Sequence, residues 1–267
     1  MAVITAKFTS LCILFLIVLI HEMGHAICAR FFSWRIKSIQ LLPFGGMAEM
    51  EEHGNRPVKE ELLVILSGPL QHLWMQMAGW FAHEVGLINE PIYRMFVFYN
   101  LSIFFFNLLP IWPLDGGKLL FILLSKQKAY SAAHREMLLL SIAAFCGFLI
   151  ISLLLNPLQL NGWLMAGFIL YSIYREHKHR QFVYIRFLME RYYGKNGHEL
   201  SSLKPIVASK NEPIYQVLLR FQRGCKHPII IEENGKKLFQ LDENELLHSF
   251  FSEKRTNETI GDLRYVY

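Results

Sequence analysis

Apolar residues along this chain of 267 gather in long runs before residue 175. Five runs come close to the roughly 20 residues needed to cross about 30 Å of hydrocarbon, and each predicts a membrane-spanning helix. Span A covers about Phe8 to Ala29, span B Leu62 to about Val85, span C Met95 to Leu124, span D Met137 to Leu155 and span E about Leu158 to Tyr174. Lys and Arg crowd the connection after A (Arg30, Arg35, Lys37, Arg56, Lys59), the connection after C (Lys126, Lys128, Arg135) and the tail after E (Arg175, Lys178, Arg180). The alternate connections hold only Lys7 and Arg94. That bias places the tail and the connection after A in the cytoplasm. Pro110 and Pro113 interrupt span C, and two re-entrant pieces there would change the parity. Between A and B, Ile36 to Met50 has two short β-prone runs around Gly45 and Gly46, which predicts a hairpin at the membrane surface. Either it caps the bundle or its open edge accepts an extended peptide by strand addition.

Beyond Tyr174 the pattern changes. The stretch REHKHRQFVYIRFLMERYYGK is basic and aromatic at helical spacing, suiting either a linker or a helix that runs along or away from the lipid surface. From Ser202 to Phe251 the order is strand (PIVAS), helix (PIYQVLLRFQRG), strand (HPIIIEENGK), strand (KLFQL) and helix (DENELLHSFF), with Asn234-Gly235 as a hairpin turn. The fold class is therefore mainly α: a polytopic transmembrane helix bundle of about five spans with a small α/β C-terminal cytosolic domain. The domains are residues 1–174 in the membrane, 175–200 as a basic juxtamembrane linker and 201–267 as the soluble domain.

Composition sharpens this division. A content of 53% hydrophobic and 18% charged residues excludes an ordinary soluble globule for the first two thirds. The tail from Arg175 holds 16 of the 27 Lys and Arg and 12 of the 22 Asp and Glu. The net charge of +5 sits at the ends of the apolar runs, where lipid headgroups explain it better than nucleic acid does. Cys12, Cys28, Cys146 and Cys225 form no CxxC pair and imply no disulfide framework. The first run is too long for a cleavable signal peptide and lacks a small-residue cleavage site.

Span A also contains His21-Glu22-Met23-Gly24-His25, an HExxH. On a helix, His21 and His25 lie one turn apart on one face, so both imidazoles can bind one Zn²⁺ with Glu22 beside them as a base for water. Chance alone would produce this pattern roughly 0.03 times in such a chain. Three ionisable groups in hydrocarbon are costly, and the bland alternative is a structural hydrogen-bonded knot between helices. Catalytic zinc takes three protein ligands, and Asp115 is the carboxylate embedded in another span. At 1.5 Å per residue, His21 and Asp115 sit about 14 and 16 Å from the same face. Asp115 could instead cap the helix resuming at Gly116, while Lys118 must snorkel or line the same wet cavity. Asn107 could orient a substrate backbone or bond a neighbouring helix.

These residues resemble the site-2 proteases, intramembrane zinc metalloproteases that carry an HExxH in one span and N-x-x-P-x-x-P-L-D-G in a later one. Here the second motif is Asn107, Pro110, Pro113, Leu114, Asp115 and Gly116. The segment FFSWRIKSIQLLPFGG and the C-terminal extension look most like the sporulation branch, the stage IV sporulation protein FB type. That resemblance implies cleavage of a membrane-associated pro-sigma factor during endospore formation, in the membrane surrounding the forespore, under inhibitory membrane partner proteins. It implies Glu22 as catalytic residue, His21, His25 and Asp115 as zinc ligands, and Asn107, Pro110, Gly116, His72, Gly45 and Gly46 as substrate-binding or supporting residues. His72 stands where members of the family often carry Asn, as a neighbour of the site or a packing residue. Only seven residues precede span A where that branch has a helix, so either Met1 is a downstream start or a helix is missing. The tail resembles a CBS domain, which implies pairing with a second copy in a homo-oligomer and binding of ATP or another adenine nucleotide. Asp242 is the candidate ribose contact, against a plain helix N-cap. The alternatives are a metal transporter, which needs polar groups strung along a path, and a catalytically inactive CBS-linked scaffold, against which the intact His21, Glu22, His25 and Asp115 argue.

Overall fold

The computed structural model describes residues 2–42, 45–50, 56–155, 160–194, 202–256 and 258–263. Within these residues, six helices precede an α/β tail: α1 (Ala2–Phe31), α2 (Val58–Glu84), α3 (Glu90–Asn107), α4 (Asp115–Gln127), α5 (Tyr130–Leu155) and α6 (Leu160–Tyr193). Among the described residues, Phe8–Phe31 and Tyr130–Leu154 are long and apolar enough to cross a membrane, with mean hydropathy of 2.1 and 2.7. Helices α2 and α3 are diluted by inward-facing polar groups. Glu61 and His72 are buried on α2 and Asn100 on α3. Their outer faces nonetheless carry exposed Leu70, Leu73, Trp74, Met77, Phe98 and Phe105, an apolar surface that water would penalise and lipid would not.

The chain divides into two compact units, Met1–Leu120 with Leu139–Tyr174, and Phe121–Leu138 with Arg175–Tyr267. In the first, α1 packs against α2 and α3. The α1–α2 approach depends on glycine: a Cβ at Gly24 would lie 2.6 Å from the Ser67 carbonyl oxygen and 2.6 Å from Gln71 Cγ. After α1 the chain turns at Ser33, and Trp34 buries its ring against Ala29 and Val64 while its Nε1 donates to Glu60 at 3.2 Å. The antiparallel hairpin follows as β1 (Ile36–Leu42) and β2 (Gly45–Met50), closing at the Leu42–Gly45 pair. Gly45 and Gly46 therefore begin a strand. Residues 43–44 lie outside the described residues.

Span C divides in two. Helix α3 stops at Asn107 and α4 begins at Asp115, with Ile111 fully buried in the break and the Trp112 N–H donating to Ser141 Oγ at 3.1 Å. The break is tight because Gly116 and Gly117 lie on the backbone of the preceding loop. Added Cβ atoms would meet the Leu108 carbonyl oxygen at 2.2 Å and the Ile111 carbonyl carbon at 2.6 Å.

In the second unit, β4 (Ile206–Ser209) pairs in parallel with β6 (Ile229–Glu233), which pairs antiparallel with β7 (Lys236–Leu241). A parallel pair of two-residue strands, β3 (Ser202–Leu203) and β5 (Cys225–Lys226), stands beside this sheet in sequence. Asn234 and Gly235 adopt φ of 52° and 74°, the left-handed pair that a two-residue hairpin turn requires. Helix α7 (Ile214–Leu218) ends earlier than the pattern PIYQVLLRFQRG suggests. Phe221 beyond it is fully buried, so apolar spacing continued past the helix into the core. Helix α8 (Glu243–Phe251) starts from Asp242, which forms a capping box with Glu245. The basic stretch after Tyr174 continues α6 to Tyr193, where Arg191 pairs with Glu243 and donates to the carbonyls of Gln222 and Cys225.

Candidate metal centre

The α1 helix carries His21 and His25 on one face, both buried, and α4 presents buried Asp115 as its first residue. His25 Nε2 lies 3.2 Å from His21 Nε2 and 3.1 Å from Asp115 Oδ2. His21 Nε2 closes the triangle, 3.2 Å from the same oxygen. Ligand atoms about 2.0–2.1 Å from a tetrahedral zinc lie about 3.3–3.4 Å apart, so this triangle has the edge length of a zinc face. The donor set, two imidazoles and a carboxylate, is that of a catalytic zinc with one position left over. The three residues form a group able to hold a metal ion.

Hydrogen bonds decide which imidazole nitrogens face inward. His25 Nδ1 meets the Val64 carbonyl oxygen at 2.8 Å. A carbonyl only accepts, so Nδ1 carries the proton and Nε2 keeps its lone pair for the triangle. His21 Nδ1 lies 3.1 Å from His72 Nε2, and His72 Nδ1 lies 2.7 Å from Asn100 Oδ1. The carboxylate is divided as well: Oδ2 faces both histidines while Lys118 Nζ donates to Oδ1 at 3.3 Å. Lys118 thus turns its charge toward the site. Helix α2 comes against the imidazoles at Gly68, where a Cβ would lie 2.2 Å from His25 Nε2 and 2.9 Å from His21 Cε1. Glu22 is buried on α1 next to His21.

The structure thus brings together His21, His25 and Asp115 from two distant stretches, with His72 in contact with His21. Asp115 opens α4 in sequence, yet its carboxylate points at imidazoles. Gly116 contributes by its lack of a side chain. Asn107 closes α3 half-buried, and Pro110 is exposed in the break. Gly45 and Gly46 belong to the β2 strand. Asp242 accepts from the Asn244 N–H at 3.3 Å and pairs with Lys226 at 2.8 Å, the environment of an N-cap. Partial burial pushes its carboxyl upward, but the Lys226 ammonium and the helix N–H groups outweigh it and hold it below the usual carboxylate range. The sequence reading missed Asn100 and Val64. A lone Asn in an apolar helix and a backbone carbonyl carry no motif; Gly68 stands in the Gly68-Pro69 pair of the span between the motifs, four residues before His72.

The sequence profile of Peptidase family M50 matches residues 9–88 and 82–150. Over its full length the chain is 53% identical to stage IV sporulation protein FB of Bacillus subtilis and covers 92% of that protein. It is 34% identical to a zinc metalloprotease of Methanocaldococcus jannaschii over 44% of this chain and 35% of that one. The solved structure of the site-2 protease from M. jannaschii superposes with a TM-score of 0.51 at 27% identity, covering 62% of this chain and 76% of the other. With a donor triangle of zinc-site dimensions beside an HExxH and a relative this similar over the whole chain, the protein belongs to Peptidase family M50, the site-2 proteases, and is a zinc-dependent intramembrane protease.

Proposed function

We propose that His21, His25 and Asp115 hold the zinc of this protease and that Glu22 is its general base. The observation that carries this is the 3.1–3.2 Å triangle of two imidazole nitrogens and one carboxylate oxygen, buried and drawn from both motifs. Zinc there supplies a Lewis acid that polarises a peptide carbonyl and acidifies water. Glu22, on the turn that carries both histidines, takes the proton from the attacking water and returns it to the leaving amine. Lys118 donates to Oδ1 of Asp115 and leaves Oδ2 to face the two imidazoles, the oxygen that would serve as ligand.

The substrate is a membrane-tethered protein cut near the cytoplasmic face. The charge alternation supports five crossings with the tail in the cytoplasm. Peptide bonds inside a helix are shielded by their own hydrogen bonds, so the substrate must unwind; the β1–β2 hairpin offers strand edges on which the unwound segment can pair. The full-length likeness to a stage IV sporulation protein supports a pro-sigma factor as that substrate and the forespore-surrounding membrane as the place. The parallel β4–β6 pair flanked by α7 and α8 supports a CBS-like tail.

The test is co-expression of a tethered pro-sigma substrate with the full chain. Glu22→Gln is expected to leave the substrate uncut while zinc is retained. Processing at the wild-type rate would remove Glu22 from the mechanism.

A further inference from the structure

We infer that Asn100 and His72 are a positioning pair that fixes the tautomer of His21, so that its Nε2 lone pair faces the metal; this rests on the metal-site reading above. One group in this network has only one possible role. The backbone carbonyl of His72 can only accept, and it lies 3.0 Å from the Asn100 carboxamide nitrogen. That end of the amide is therefore the NH₂ group, which also donates to Gln76 Oε1 at 3.0 Å. The other end, Oδ1, is then the acceptor that faces His72 Nδ1 at 2.7 Å, so the ring proton of His72 sits on Nδ1. Neutral His72 offers a lone pair at Nε2, and His21 Nδ1 at 3.1 Å donates to it. With its proton on Nδ1, His21 has a bare Nε2 in the triangle with His25 and Asp115.

Each link is sealed from water. Asn100 is 0% exposed, His72 2% and His21 3%. A broken link cannot be replaced by solvent and leaves a buried polar group unpaired. His25 receives the same service from the Val64 carbonyl in a single bond. His21, at the more distant position on α1, needs two side chains from α2 and α3 to reach the same state. The pair also holds the three helices to one another at the depth of the site, which is why a structural role has to be separated from a metal-orienting one.

The experiment measures the zinc dissociation constant of the purified full-length protein by competition with a chelator, with the visible absorption of the cobalt-substituted protein as a second readout. His72→Leu and Asn100→Leu are expected to weaken zinc binding 10–100-fold, the range typical of lost partners to metal-binding histidines. His72→Gln keeps an acceptor toward His21 and a donor toward Asn100, and is expected to stay within about threefold of wild type with the cobalt spectrum unchanged. Asn100→Ser, a milder change that withdraws the amide acceptor, stands in where leucine prevents folding and is expected to weaken zinc as well. Folded His72→Leu or Asn100→Ser binding zinc as tightly as wild type overturns the positioning role. Wild type without zinc overturns the metal-site reading itself, and this inference with it.

Discussion

A methyl group at position 68 would lie 2.2 Å from His25 Nε2 and 2.4 Å from its Cε1, well inside any real contact. Neither imidazole has room to yield, because His25 is tied to Val64 and His21 to His72. Gly68→Ala is therefore expected to cost about 1–3 kcal/mol of stability by overpacking and to reduce proteolysis at least tenfold, read as cleaved substrate per folded enzyme. Activity at the wild-type level would mean the rings tolerate displacement. A second residue-scale expectation concerns His227. Its Nδ1 meets the Lys204 carbonyl at 2.8 Å and its Nε2 accepts from the Gln222 N–H at 2.9 Å, so the neutral ring is the one that fits. Burial pushes its pKa below 6.5, outweighing the upward pull of the Lys204 carbonyl. The unfolded chain then binds the extra proton more readily than the folded unit, so stability is full above about pH 6.5 and is lost as pH falls through it. Urea unfolding of the C-terminal unit at pH 7.5 and 5.5 checks the sign, with His227→Gln expected to flatten the difference. The HExxH residues were legible because helical period alone puts positions 21 and 25 together; Asn100 was not, since its meaning comes from a ring on a different helix.

At the scale of elements, the break between α3 and α4 decides where Asp115 stands. Two prolines and two glycines announced an interruption in the sequence, but not what it achieves: α4 starts against the backbone of the loop before it. A Cβ on Gly116 would meet the Leu108 carbonyl at 2.2 Å and the Leu109 carbonyl oxygen at 2.4 Å, and backbone cannot swing aside as a side chain does. Gly116→Ala is thus expected to shift Asp115 off the imidazoles and weaken zinc binding by about tenfold or more, measured by chelator competition. Unchanged affinity would show that α4 can slide. The α6 helix supplies another element-scale expectation. Arg191 and Glu243 form a pair with side chains only 7% and 4% exposed. Removing one partner strands the other charge, so Arg191→Ala should destabilise the C-terminal unit by about 3–5 kcal/mol. A change below about 1 kcal/mol in urea unfolding would place the pair in water instead. The apolar spacing of PIYQVLLRFQRG overstated α7 because Phe221 is buried from an irregular segment, and burial periodicity does not distinguish the two. Gly45-Gly46, around which the two β-prone runs lie, opens β2, since glycine suits a turn but can also begin a strand.

At the scale of the molecule, hydropathy alone distinguishes two helices among the described residues, while the outward faces of α2 and α3 are as apolar as lipid demands. Their inward faces are polar beside the candidate metal centre, where His72 and Asn100 lie. The same chemistry that makes the protein a protease thus lowers the hydropathy of its helices. In the function proposed above, α1 and α4 share one metal. Zinc per chain in detergent-purified protein, prepared without chelators, tests it for wild type, His25→Ala and Asp115→Ala. About one zinc is expected in wild type, lost in both variants. No zinc in wild type, or a full complement in either variant, would contradict it.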